Sequence, residues 1–259
     1  MNDMVQKQDE QYIERCLQLA ELGIGNVAPN PLVGALIVYK GKIVGEGYHQ
    51  KYGQPHAEPN AINSVSDHSI FCESTLYVSL EPCSHFGKTP PCANLIVNKG
   101  FKKVVIGTLD PNPKVAGRGV EILRNAGIKV VVGVLEDKCR ALNKRFFTFQ
   151  EMKRPFVLLK WAQTSDGFID HIRTSIDQKP LQVSNSITAQ LTHKMRSENQ
   201  SILVSTNTVV LDNPSLTVRN WSGKSPVRLV LDRTLRIPRH YQIYNNKNRT
   251  IIFTEKNEI

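Results

Sequence analysis

Apolar positions recur at helical spacing from about Gln8 to Leu22, where Cys16 lies among Leu17, Leu19, Ala20 and Leu22. The pattern predicts an amphipathic helix that ends near Gly23 and Gly25. The runs Val33 to Val38 and Lys42 to Tyr48 flank Lys40-Gly41 and predict a β-hairpin. Apolar strands at Thr75 to Leu80, Lys103 to Gly107 and Lys129 to Gly133 alternate with helices predicted from His56, from Cys92 to Gly100, and from Gly119 to Asn125. Such alternation indicates a layered α/β domain.

A helix predicted from Glu136 to Phe147 closes this region, and the polar run Glu151-Met152-Lys153-Arg154-Pro155 breaks the pattern. The boundary is expected near residue 150, giving domains 1–150 and 151–259. Beyond it the pattern predicts a strand Phe156 to Trp161, a helix Ser186 to Ser197, and strands Ser201 to Ser205, Val227 to Leu231 and Thr250 to Phe253.

At 259 residues and 40% apolar content, the chain can bury one large or two modest cores. No run of about 18 uncharged apolar residues occurs, and the first fifteen residues are polar and charged. The expectation is a cytoplasmic protein with no membrane partner. Five cysteines are scattered without a disulfide framework, and Cys16, Cys72 and Cys139 read as small packing residues. The net charge of +10 suits an anionic partner. Because the basic residues are dispersed, without interleaved aromatics or a basic tail, a phosphorylated small molecule is expected and nucleic acid is not.

Two segments carry the candidate chemistry, Pro55-His56-Ala57-Glu58 and Pro82-Cys83 through Pro91-Cys92. His-x-Glu followed by Pro-Cys and a second cysteine is the zinc deaminase signature. Eight residues separate the two cysteines here, where the common pattern leaves two. His56, Cys83 and Cys92 as Zn²⁺ ligands leave the fourth tetrahedral position to water, as in a catalytic site. Glu58 is placed to take the water proton and pass it to a leaving amine. Both segments fall where a loop enters a helix, and the helix start at Cys92 is expected to favour its thiolate. His85 would close the site as a fourth ligand, so a substrate-holding or loop-orienting role is expected. Lys88, in the loop joining the two cysteines, is expected to reach a ribose or phosphate. The alternatives are a nucleic-acid deaminase of the same fold, disfavoured by the long insert, and a noncatalytic zinc-stabilised interaction module, disfavoured by Glu58 and the open fourth position.

The insert Ser84-His85-Phe86-Gly87-Lys88-Thr89-Pro90-Pro91 resembles the deaminase domain of the bifunctional riboflavin-biosynthesis enzymes. Similar matches run through Pro29-Asn30-Pro31-Leu32-Val33-Gly34, Gly45 to His49, Asp110-Pro111-Asn112-Pro113, Val115 to Gly119, Ser165-Asp166-Gly167 and Asp212 to Arg219. The resemblance implies a cytidine-deaminase-like three-layer α/β/α domain followed by part of a dihydrofolate-reductase-like α/β domain. It implies hydrolytic deamination of 2,5-diamino-6-(ribosylamino)pyrimidin-4-one 5′-phosphate and reduction of its ribosyl group by NADPH.

Asn30, His49, Asp110 and Asn112 would hold the pyrimidine edge and ribose hydroxyls, although Asn112 equally suits a turn. In the second domain the resemblance puts Ala162, Thr208 and Asp212 near the cofactor and Arg196, Leu216 and Arg219 near the substrate, with the two arginines as phosphate clamps. Leu181 and Arg233 depart from residues common in the family. The chain stops at Ile259, before the family's later glycine-rich segment, and the expectation is deamination without reduction by this chain alone. A homo-oligomer is compatible with all of this.

Overall fold

Alternate residues of the central strands pack on opposite faces, which is what a sheet buried on both sides requires. Ala35, Ile37, Leu76, Val78, Val104 and Ile106 join one apolar cluster, while Leu36, Val38, Tyr77 and Val105 join another. The computed structural model describes residues 3–85, 90–113 and 115–256. These fold as two compact units, Met1–Val157 and Leu158–Ile259.

In the first unit, α1 (Asp3–Glu21) is followed by the hairpin β1 (Gly34–Tyr39) and β2 (Lys42–Tyr48), then α2 (Ala57–Asn63) and β3 (Thr75–Leu80). After these come α3 (Cys92–Asn98), β4 (Lys103–Thr108), α4 (Arg118–Asn125), β5 (Lys129–Val132), α5 (Glu136–Leu142) and α6 (Lys144–Met152). The sheet order is β2-β1-β3-β4-β5; β1 is antiparallel to β2 and β3, whereas β3, β4 and β5 run parallel. Ala57, Ala61 and Ile62 of α2, Ile96 of α3, and Val120 and Leu123 of α4 cover one face. Ile13, Cys16 and Leu17 of α1 with Cys139 of α5 cover the other. The three-layer α/β/α arrangement follows, and both Cys16 and Cys139 are fully buried packing residues. Cys72, by contrast, is exposed.

The helix expected over Glu136 to Phe147 is interrupted at Asn143 (φ −98°, ψ 19°). The break has a use. Asn143 Nδ2 donates to the Leu32 carbonyl and its Oδ1 accepts from the Leu32 N–H, both at 2.8 Å, so the buried amide pairs with the loop as a strand would.

The second unit contains α7 (Ser186–Glu198), β6 (Ser201–Ser205), α8 (Thr206–Asp212), β7 (Val227–Leu231) and β8 (Thr250–Phe253). The three strands form a parallel sheet in that order. Val209, Val230, Ile237, Tyr241 and Ile243 make its core. Asn185 caps α7 by accepting from the Thr188 N–H. The strand expected over Phe156 to Trp161 does not form. Val157, Leu158, Leu159 and Trp161 are exposed, and no ladder partner lies beside them among the described residues; an apolar run becomes a strand only where another strand takes its backbone groups. None of the described helices is long and apolar enough to cross a membrane.

Candidate active site

Helix α2 rides unusually close to β2. A Cβ on Gly47 would stand 2.2 Å from the Ala61 nitrogen and 2.6 Å from the Ala57 carbonyl oxygen, so only glycine admits this approach. The contact fixes the start of α2, where His56 is the extended N-cap residue and Glu58 lies in the first turn. The buried end of β3 leads through Glu81 and Pro82 to Cys83, and Cys92 opens α3. Three element ends therefore deliver three ligand atoms to one place.

His56 Nδ1 lies 3.6 Å from Cys83 Sγ and 3.4 Å from Cys92 Sγ, and all three ligand atoms are within 4.8 Å of one another. Two sulfurs and an imidazole nitrogen converging on one point fit zinc in donor type and number. Among the described residues no fourth His, Cys, Asp or Glu joins the group. His85 is exposed and lies near Asp110, apart from the three. Lys88 lies outside the described residues.

The electrostatics correct one expectation. The Cys92 N–H donates to Cys83 Sγ at 3.3 Å, so the helix start serves the other sulfur. Hydrogen bonding from Cys92, and then from His56, holds the Cys83 thiol well below its ordinary value. The Cys92 thiol is pushed up by its bond to Cys83 and by burial. In the metal-free protein this bond favours the thiolate on Cys83 and the thiol on Cys92. His56 is raised, chiefly by its bond to Cys83.

Glu58 is 3% exposed, and burial pushes its carboxyl up to about 7. A carboxyl that releases and regains a proton near neutrality, beside three ligand atoms, is suited to general acid/base work.

Around this group stand the other expected contacts. Asn30 Nδ2 donates to His49 Nε2 at 3.1 Å, and His49 Nδ1 donates to the Pro55 carbonyl at 3.0 Å. Burial lowers the pKa of His49, consistent with a neutral ring whose two nitrogens have opposite roles. Its ring meets that of His56 edge-on, with centroids 5.4 Å apart. Asp110 Oδ1 accepts from the Asn112 N–H at 2.8 Å, and burial raises the Asp110 carboxyl to about 6. The Asn112 carbonyl accepts from the N–H groups of Val115 and Ala116, the turn that its residue type suggested.

In the second unit, Arg196 and Arg219 meet at Thr217. Arg196 Nη1 donates to the Thr217 carbonyl at 3.1 Å; Arg219 Nη1 donates to Thr217 Oγ1 at 3.0 Å and to Ser215 Oγ. Leu216 between them is buried at φ +55°. Burial, and then Arg219, lowers the Arg196 pKa, as expected of neighbouring cations without an anion. Thr208 and Asp212 lie on α8, where Thr208 Oγ1 is 3.2 Å from Ser205 Oγ. The Asp212 carboxylate is bonded at 2.6 Å to Arg173, which also holds Asp170. Ala162 is half-buried in irregular chain.

Two supporting residues escape a reading of the sequence, Asn143 described above and Glu81. Both act on backbone groups, which leave no compositional trace. The only signal was position: Glu81 immediately precedes the first cysteine segment.

Comparison with known proteins yields two family matches, the cytidine and deoxycytidylate deaminase zinc-binding region over residues 6–108 and the RibD C-terminal domain over residues 155–259. The riboflavin biosynthesis protein RibD of Aquifex aeolicus is 45% identical over 98% of this chain and 70% of its own length. That of Actinobacillus pleuropneumoniae is 44% identical over 97% of this chain and 66% of its own. The crystal structure of a Thermotoga maritima diaminohydroxyphosphoribosylaminopyrimidine deaminase/5-amino-6-(5-phosphoribosylamino)uracil reductase superposes with a TM-score of 0.89 at 43% identity, covering 98% of this chain and 71% of that one. Acinetobacter baumannii RibD gives 0.88 at 36% identity, with coverage of 97% and 71%.

Proposed function

Because the chain belongs to the RibD family of riboflavin-biosynthesis proteins, we propose that its first unit deaminates 2,5-diamino-6-(5-phosphoribosylamino)pyrimidin-4-one by zinc-dependent hydrolysis. The single observation that carries this reading is the convergence of His56 Nδ1, Cys83 Sγ and Cys92 Sγ beside a buried Glu58.

His56, Cys83 and Cys92 would hold the zinc, which would supply the Lewis acidity that makes water a nucleophile at neutral pH. Glu58 accepts the proton that the attacking water gives up. As the carbon–oxygen bond forms at the carbon bearing the 2-amino group and the carbon–nitrogen bond breaks, Glu58 returns that proton to the departing nitrogen. Ammonia leaves, and a carbonyl remains as the hydroxyl proton passes to the adjacent ring nitrogen. A residue used in both directions needs a pKa near the working pH, and burial supplies it.

Asn30 and His49 border the imidazole ligand, and Asp110 and Asn112 border the cysteine side. Their donors and acceptors suit the pyrimidine edge and ribose hydroxyls. In the second unit, Arg196 and Arg219 form a cationic pair suited to the substrate phosphate of the reductase step, with Leu216 between them. Ala162, Thr208 and Asp212 are the residues assigned toward NADPH.

The experiment that tests the substrate class offers the zinc-loaded chain the free phosphorylated diaminopyrimidine and a cytosine-containing oligonucleotide in parallel. Turnover of the small molecule alone is expected. Turnover of the oligonucleotide alone would move the chain's activity to nucleic acid.

A further inference from the structure

The carboxylate of Glu81 is 4% exposed, has no cationic side chain bonded to it among the described residues, and is nevertheless occupied by four donors. Oε1 accepts from the N–H groups of Gly119 at 2.9 Å and Val120 at 3.2 Å. Oε2 accepts from those of Gly117 at 3.0 Å and Asp110 at 3.2 Å. Four donors face one side chain across at least 29 residues of sequence. Gly117 is the N-cap of α4 at φ +79°, so Glu81, just past the end of β3, supplies the acceptor that a capping side chain usually gives. A Cβ on Gly119 would stand 2.1 Å from the Pro82 carbonyl oxygen, so the turn is pressed against the residue that precedes Cys83.

We propose that Glu81 is a positioning residue for the deamination: it clamps Asp110 and the Gly117–Val120 helix start onto the Pro82-Cys83 segment and so sets where Asp110 meets the substrate. The proposal rests on the reading of Asp110 as a substrate contact given above. It separates two functions that share one stretch of backbone. The metal ligands keep their own supports, the Cys92 N–H on Cys83 Sγ and the Ala93 N–H on the Cys83 carbonyl, neither of which involves Glu81. Asp110, by contrast, has its N–H on Glu81, and its neighbouring turn is held by the same carboxylate.

E81Q replaces one acceptor oxygen with an NH₂ group facing backbone donors, and so breaks about half of the clamp with little change in volume. In the full chain, E81Q is expected to retain bound zinc, to exchange the amide protons of Asp110, Gly117, Gly119 and Val120 at least about tenfold faster, and to raise KM about tenfold with kcat nearly unchanged. E81D, which keeps both acceptors but withdraws them by a methylene, should give an intermediate KM and covers the case in which E81Q folds poorly. Equal loss in kcat and kcat/KM, loss of zinc, or unchanged exchange at the four amides would overturn the proposal. If the wild-type chain does not turn over the diaminopyrimidine at all, the deaminase reading fails, while the amide exchange still decides whether the clamp exists.

Discussion

His56 Nδ1 lies 3.4 Å from Cys92 Sγ although they are 36 positions apart in sequence, so the contact depends on the starts of α2 and α3 meeting correctly. Cys83 completes the group, with its sulfur already receiving the Cys92 N–H. Replacing Cys83 or Cys92 with serine substitutes a hard, poorly ionised oxygen for sulfur. Each variant should lose zinc affinity by more than the about 10- to 100-fold that loss of an outer-shell partner costs. Competition against a chromogenic chelator measures this, and full zinc occupancy in the double variant would remove the two sulfurs from the ligand set.

Zinc binding should also release protons. In the metal-free protein the Cys92 thiol and the His56 imidazole are both held above their ordinary values by Cys83, and each must give up a proton to bind metal. Affinity therefore falls as pH falls below the raised Cys92 value, and more steeply once pH also drops below the raised His56 value, where both groups hold a proton. Calorimetric titration in two buffers of different ionisation enthalpy reports the proton count; equal heats in both would contradict it.

Asp110 carries a cost that its neutral analogue does not. Its carboxyl titrates at about 6 in the folded chain against an ordinary value of 3.8, so between these values the native state holds a proton that the unfolded state has lost. Wild-type stability from this group consequently falls as pH rises through that window. With allowance for partial exposure, D110N should be more stable than wild type by about 1–2 kcal/mol near pH 8, and the difference should vanish near pH 4. Substrate KM should rise in the same variant. Denaturant midpoints at the two pH values check this, and a D110N chain less stable at both would sink it.

Asn143 should matter twice. N143A removes both bonds to Leu32 and leaves a half-buried backbone N–H and C=O without those partners, a loss of about 1–3 kcal/mol. The same loop carries Asn30, bonded to His49, so substrate affinity should weaken with zinc content unchanged. Unaltered KM in a folded N143A chain would show that the loop holds its place without this pairing.

What could be read from the sequence follows a physical line. Strands β3, β6, β7 and β8 are short apolar runs bounded by polar residues, and local pattern suffices to locate them. His56, Cys83 and Cys92 are legible because the chemistry of a metal site concentrates rare residue types in two short segments. Glu81 and Asn143 are not, because their partners are main-chain groups that every residue carries. The direction of the Cys92 N–H was equally hidden: it decides which thiol ionises, and depends on how the 83–92 loop returns. Phe156 to Trp161 is a short apolar run like a buried strand, yet pairing is a property of the neighbour and not of the segment.

In the second unit, Arg196 and Arg219 should bind inorganic phosphate. Their shared contact at Thr217 and the lowered Arg196 pKa mark a cationic pair that an anion would relieve. Phosphate should raise the thermal midpoint of this unit, and the R196A/R219A chain should lose that response, a difference of about 1–3 kcal/mol at saturation. The same midpoint shift in the double variant would place the anion elsewhere.

The most direct test of the whole account is single: incubate the zinc-loaded chain and its E58Q variant with the diaminopyrimidine in the absence of NADPH, then quantify ammonia and identify the product by mass. Wild type should release one ammonia for each substrate converted to the carbonyl product, while E58Q, with its zinc retained, should be slower by about 10²- to 10⁴-fold. Ammonia release by E58Q at the wild-type rate, or none from zinc-loaded wild type, would contradict the assignment of this site as a hydrolytic deaminase.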